Sequence, residues 1–276
     1  MHAEYPSICE WAPANLVIWK DFDHPRKFTI HQNLCILISP PNEGPYFLEP
    51  IGNHKITETV DICLKQAGRI SRASEDFIKK LPKERYVIEE LREQFDYIYA
   101  RETLAGLKGK KFDGKRNHIQ KFRRHFPDYQ FRPLSPADEK DALGLFDKWF
   151  DYKKETTYFS KLSHPSQKRL IQNAFLYFEK LELSGGAIYN QGGMLGFILG
   201  SQISPEMATV HFMFGNPIYP GIAQILLWEA CNKTFSSYKF INLEQDLGIA
   251  GLRQAKLSYY PLRLEKKFEL SFQKIG

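Results

Sequence analysis

From Gly185 to Gly215 the chain alternates apolar runs with turn signals. "GGAIYN", "MLGFILGSQIS" and "MATVHFMFG" are separated by Gln191-Gly192-Gly193 and by Ser204-Pro205. A Gly-containing turn between two apolar runs predicts a hairpin, so this stretch is constrained to long antiparallel strands. After Asn216-Pro217 and Pro220-Gly221, "IAQILLWEACNKTF" reads as a buried helix, "KFINLE" as a strand, "QDLGIAGLRQAKLSYYP" as a turn and short helix, and "LRLEKKFELSF" as a last strand. Two amphipathic helices precede the strands, in "PADEKDALGLFDKWFDYK" and "SQKRLIQNAFLYFEKL". The order predicts a mixed α/β sheet with helices on its faces.

The first half is read the same way. "NLVIWKDF" and "NLCILIS" are expected as strands, the second closed by Pro40 and Pro41. "HKITETVDICLKQAG" has helical spacing at Ile56, Val60, Cys63, Leu64 and Ala67, with Gly68 as its stop. "SEDFIKKLP" predicts a short helix, "RYVIEE" and "FDYIYA" two strands. In "GKKFDGKRNHIQKFRRHF", nine of eighteen residues are Lys, Arg or His. Phe112, Ile119, Phe122 and Phe126 nevertheless share a stripe at about 100° per residue, which predicts a half-buried helix capped by Asp113 and ended by Pro127. On that wheel Lys115 falls inside the stripe, Arg116 and Arg123 flank it, and Lys121 and Arg124 point away.

At 276 residues and 43% hydrophobic, the chain has material for one large domain or two ordinary ones. A net charge of +6 permits anionic partners without demanding one. The four cysteines are far apart and the histidines lack ligand spacing, so no metal site is expected. No apolar run approaches membrane-spanning length and no secretory leader is visible, so a cytoplasmic protein without a transmembrane segment is expected.

Three stretches carry a family resemblance. "DYIYARETLAGLKGKKFDGKRNHIQKF", "INLEQDLGIAGLRQAKLSYYP" and "ANLVIWKDF" resemble the hallmark segments of a bacterial family related to the C-terminal domain of phosphatidylglycerol lysyltransferase. The resemblance implies two tandem GNAT-like acyltransferase domains, divided here as residues 1–128, including the basic helix, and 129–276. It also implies relatives among the Fem-type aminoacyltransferases. The chain departs from the family where Met213 stands in place of an expected Glu, in "HFMFGN".

Three functions follow from that resemblance. The first is aminoacyl transfer from aminoacyl-tRNA to an amine or hydroxyl of a lipid, peptide or small molecule. The others are acyl-CoA-dependent N-acyl transfer and a non-catalytic binder of anions. Partners would be a tRNA acceptor end or coenzyme A, and a lipid head group at a membrane surface. Such chemistry needs aligned substrates, a stabilised oxyanion and removal of one proton. Asp246 is the first candidate base and Glu244 the second, with Tyr259 alongside; Asp246 reads equally as a helix cap paired with Arg253. Phosphate contacts are expected from Lys111, Lys115, Arg116, Asn117 and Arg123, and from Arg253 and Lys256 on one face of the short helix. Gly248 and Gly251 would admit a ligand to the backbone. Gly221 would open a helix N-terminus to phosphate, or simply turn the chain. The basic helix reads alternatively as a strut with snorkelling cations.

Overall fold

The structure is a computed structural model and describes residues 8–41, 43–153 and 163–273. Its elements run α1 (Pro13–Ile18), α2 (Lys20–Asp23), β1 (Arg26–Ile30), β2 (Asn33–Ile38), β3 (Tyr46–Phe47), α3 (Ile56–Ala67), β4 (Ile70–Ser74), α4 (Glu75–Lys79) and β5 (Tyr86–Glu90). There follow β6 (Asp96–Ala100), α5 (Arg101–Gly106), α6 (Asp113–His125), β7 (Gln130–Pro133), α7 (Glu139–Lys153), α8 (His164–Leu176), β8 (Ser184–Asn190), β9 (Gly193–Ser204) and β10 (Met207–Gly215). The chain ends with α9 (Ile222–Asn232), β11 (Phe240–Asn242), α10 (Ala250–Leu257), β12 (Arg263–Glu265) and β13 (Lys267–Phe272).

Contacts group the chain into two compact, discontinuous units. The first holds residues 1–97, 244–253 and 263–276; the second holds 98–243 and 254–262. By contacts, then, the basic helix α6 groups with the second unit, where the sequence placed it at the end of the first 128 residues.

The first unit is built on a mixed sheet in the order β1-β2-β3-β4-β13-β5. One sheet face packs on α3 and α4, burying Cys35, Leu37, Phe47, Val60, Leu64, Ile70, Phe77 and Leu270. Gly68 ends α3 in the left-handed region at φ +79°, as its spacing predicts. "NLVIWKDF", expected as a strand, is instead the two short helices α1 and α2: Pro13 pre-sets helical φ at the first turn, a local signal stronger than the apolar run that follows. "LRLEKKFELSF", expected as one strand, is two, broken at Lys266; β13 pairs antiparallel with both β4 and β5 in the first unit's sheet.

In the second unit the sheet runs β6-β11-β10-β9-β8-β7. The predicted hairpins are present, with β8, β9 and β10 in antiparallel register. β10 and β11 are parallel and pair only through Met207–Thr209 and Phe240–Asn242. Among the described residues the rest of β10, Val210–Gly215, therefore has no strand partner on its β11 side. Helix α9 packs beside the sheet with Ile222, Ile225, Leu226 and Leu227 buried. Gly221, at φ +92°, starts α9 where a Cβ would run into the His118 carbonyl oxygen and the Phe122 side chain of α6. This glycine is required by the close approach of two helices.

Candidate functional site

Helix α6 is amphipathic as predicted. Ile119 and Phe122 are buried on one side, and Phe112 is buried just before the helix. Asp113 is its first residue rather than its cap, a position Phe112 takes. There Asp113 pairs with Arg116 one turn on. Arg116 also donates to the carbonyls of Leu107 and Gly109, so its guanidinium ties down the loop that enters the helix. Arg123 lies over Trp228, 4.7 Å from the ring centroid. Asn117, Lys121 and Arg124 are exposed.

Lys115 behaves differently. It is half-buried, and its Nζ lies 4.0 Å from the ring centroid of Tyr259. The ammonium donates to Ser258 Oγ at 2.6 Å. Among the described residues no carboxylate pairs with it, and burial lowers its pKa. Lys111 sits 4.5 Å from the Tyr260 ring centroid, and Tyr260 meets Phe112 edge to face. Residues of the two hallmark segments, 143 apart at Lys115 and Ser258, thus meet inside the second unit. Tyr259 itself is buried, and burial holds its phenol well above the ordinary value. Lys256 donates to the Leu243 carbonyl at 2.5 Å. Arg253 and Lys256 are therefore each committed to the protein, and to different partners.

Asp246 lies in the first unit and is fully buried. It accepts from Arg253 Nε and Nη2 at 2.8 and 2.9 Å, Arg92 Nη1 at 3.1 Å, Tyr97 Oη at 2.7 Å and the Gly248 amide at 2.9 Å. Burial works against its charge, but Arg253, Tyr97 and the Gly248 amide outweigh it and hold the carboxyl at about 2. Gly248 makes that turn at φ +76°, whereas Gly251 is exposed with open space around it. Glu244 takes a left-handed φ of +57° and accepts from Asn15 at 3.0 Å. Arg92 and Tyr97 were missed by the sequence reading. Tyr97 opens the Tyr-x-Tyr of a hallmark segment, which marks the position without naming its partner.

The Asp246 group predicts an acid-side stability effect. The unfolded carboxyl titrates near 3.9 and the folded one at about 2. Its stabilisation is thus complete above the unfolded value and lost as pH falls through the folded one. Urea midpoints of the wild type are expected to fall by the equivalent of about 2 kcal/mol between about pH 4 and pH 2 on this account, and those of Asp246→Asn by clearly less.

A second buried ionic group lies in the first unit. Lys267, at 0% exposure, donates to Asp96 Oδ1 at 2.7 Å and approaches Glu10 Oε2 at 2.6 Å. Cys9, Glu10 and Asp96 offer ligand atoms within 4.8 Å of one another. The Lys267 ammonium already supplies the cation there, so these residues do not fit a metal ion. Asp96 also accepts from the Cys9 amide, and Gln245 donates to Glu10. His211 contacts Ser201 at 2.8 Å, and Met213 is partly exposed on β10.

The fold is a mixed α/β one built on two mixed sheets with helices packed on them. The chain belongs to the family "Phosphatidylglycerol lysyltransferase, C-terminal", which matches residues 6–270. It is similar to a conserved protein of unknown function from Bacteroides thetaiotaomicron, with 29% identity and a TM-score of 0.86 over 96% of this chain and 91% of that one. The C-terminal domain of a lysylphosphatidylglycerol synthetase from Agrobacterium fabrum is 13% identical, with a TM-score of 0.66 over 97% and 89%. L-PGS from Bacillus licheniformis is 16% identical, with a TM-score of 0.63 over 91% and 85%. No curated protein matches the sequence. Among the described residues no helix is long and apolar enough to cross a membrane.

Proposed function

We propose that this protein transfers an aminoacyl group from aminoacyl-tRNA to an amine or hydroxyl acceptor on a lipid head group, a peptide or a small molecule. The observation that carries this reading is the half-buried Lys115 amine, held by Ser258 over Tyr259 with no carboxylate beside it among the described residues. A lysine whose pKa is lowered by burial keeps a larger neutral fraction and serves as a general base. In the proposed step Lys115 takes the proton of the acceptor nucleophile. The nucleophile then bonds to the ester carbonyl carbon, and the carbon–oxygen bond to the tRNA breaks as its hydroxyl recovers a proton. Asp246 is assigned a positioning role, because its oxygens are committed to donors and a carboxyl at about 2 is a weak base.

The exposed Lys121 and Arg124 supply the phosphate contacts. The start of α9, where a coenzyme A pyrophosphate would meet free amides, is approached closely by the His118 carbonyl, which favours tRNA over a nucleotide thioester. Filter binding of aminoacyl-tRNA should weaken linearly with the logarithm of salt concentration. The double variant Lys121→Glu/Arg124→Glu should bind at least about tenfold more weakly. Saturable coenzyme A binding with no tRNA complex would replace the donor in this scheme.

A further inference from the structure

The turn that follows α10 exposes apolar side chains that the transfer reaction does not use. Leu257 is 43% exposed, Tyr260 47% and Leu262 58%, three large apolar residues within six positions. Scattered singly, such residues are ordinary surface; gathered in one turn, they mark a contact. The turn ties two of them together, since the Tyr260 amide donates to the Leu257 carbonyl at 2.9 Å. Tyr260 stands there at φ +55°, a left-handed backbone that costs energy for an aromatic residue. Its ring meets the buried Phe112 edge to face and still leaves nearly half its surface in solvent.

Tyr260 also sits beside charge. Lys111 Nζ lies 4.5 Å from its ring centroid, and Lys108 and Lys110 are exposed in the same loop as Lys111. Among the described residues none of these three lysines pairs with a carboxylate. Residues 254–262 contain no Asp or Glu. Asp113, the one acid between residues 107 and 116, is taken by Arg116. Both segments, 108–112 and 257–262, belong to the second unit.

The occupant of such a surface is anionic outside and apolar beneath. A nucleic acid offers phosphates to the lysines but no apolar layer to the two leucines. An anionic bilayer offers both. Ammonium groups rest among its head groups, a tyrosine ring sits at the interface, and leucines reach the acyl boundary. We propose that the 257–262 turn and Lys108, Lys110 and Lys111 dock the protein on an anionic membrane surface. This docking does not rest on the transfer reading, and it stands whether or not the protein moves an aminoacyl group.

The test is sedimentation of the whole chain with vesicles. One set is phosphatidylcholine; two others are equimolar mixtures of phosphatidylcholine with phosphatidylserine or with phosphatidylglycerol. Both anionic mixtures should bind the chain alike, at least about tenfold more tightly than phosphatidylcholine, and salt should weaken that binding. Lys108→Glu/Lys110→Glu/Lys111→Glu should lose at least about tenfold at low salt. Leu257→Ser/Leu262→Ser should lose a similar factor, and its loss should persist at high salt, where charge is screened. Lys121→Glu/Arg124→Glu, designed against tRNA, should keep vesicle affinity within about threefold of the wild type. The proposal is overturned if neither anionic mixture binds the chain, if phosphatidylcholine binds it equally, or if the lysine variant binds like the wild type. Binding to the phosphatidylglycerol mixture alone would mean recognition of one head group and would overturn a docking surface. A lysine variant that loses tRNA and keeps vesicles would make the patch a nucleic-acid surface, and a dimer that Leu262→Ser dissociates would make it a self-contact; either result overturns the proposal. Should the leucine variant fail to fold, the lysine variant, altered only at exposed positions, decides alone.

Discussion

Replacing Lys267 by Met is expected to destabilise the protein by about 3–5 kcal/mol, the usual cost of removing one partner from a buried ion pair. Asp96 is fully buried and Glu10 nearly so, and both rely on the Lys267 ammonium for a counter-charge. The attraction of Asp96 and Glu10 outweighs burial and holds the lysine above its ordinary value, so it is charged throughout the physiological range. Without it, two carboxylates remain in a low-dielectric interior, where each must be protonated or hydrated at the expense of packing. The deficit should therefore shrink as pH falls, since protonation removes the buried charge from the folded variant. The triple variant Lys267→Met/Glu10→Gln/Asp96→Asn should recover much of the loss. Urea unfolding at two pH values measures all of this. A Lys267→Met midpoint equal to the wild type would mean that the ammonium is not what balances these acids.

Lys115→Met is expected to lower the turnover of aminoacyl transfer by about 10²–10⁴-fold, the range of a general-base contribution. The loss should fall on kcat, because the methionine keeps an apolar stem beside Tyr259 and removes only the amine. Lys115→Arg should not rescue, since a guanidinium cannot take up a proton at neutral pH. Ser258→Ala should cost less, as it removes the group that aims the amine while leaving the amine in place. A wild-type rate for Lys115→Met, measured with charged tRNA and an amine acceptor, would end the base assignment. The stability of the variant is expected to stay within about 0.5 kcal/mol of the wild type or above it, because the lost ammonium was partly desolvated without a carboxylate partner.

Local patterns made much of the fold legible. The alternation in β8, β9 and β10 and the glycine after α3 are period and turn signals that need no tertiary context. The basic helix was legible for the same reason, since Ile119 and Phe122 keep helical spacing among the cations. The last strand was legible as an element, but its break at Lys266 and the burial of Lys267 were not, because Lys267 looks like a solvated charge until Asp96 and Glu10 are brought to it from far along the chain. The same holds at the site. Asp246 and Arg253 are neighbours in sequence and their pairing was foreseen as an alternative, while Arg92 and Tyr97 arrive from about 150 residues upstream. The Lys115–Ser258 contact was invisible to spacing, although both residues stood inside segments singled out for other reasons.

The place of β13 between β4 and β5 bears on how the protein is made. A ribosome releases residues 26–90 early, with every other strand of that sheet, yet two of those strands have no direct way to join. Each presents a row of unpaired amides and carbonyls until residues 267–272 have been synthesised. The nascent first unit must therefore wait open for the length of almost the whole intervening chain, and for that interval its exposed edges depend on slow elongation and chaperones rather than on its own pairing.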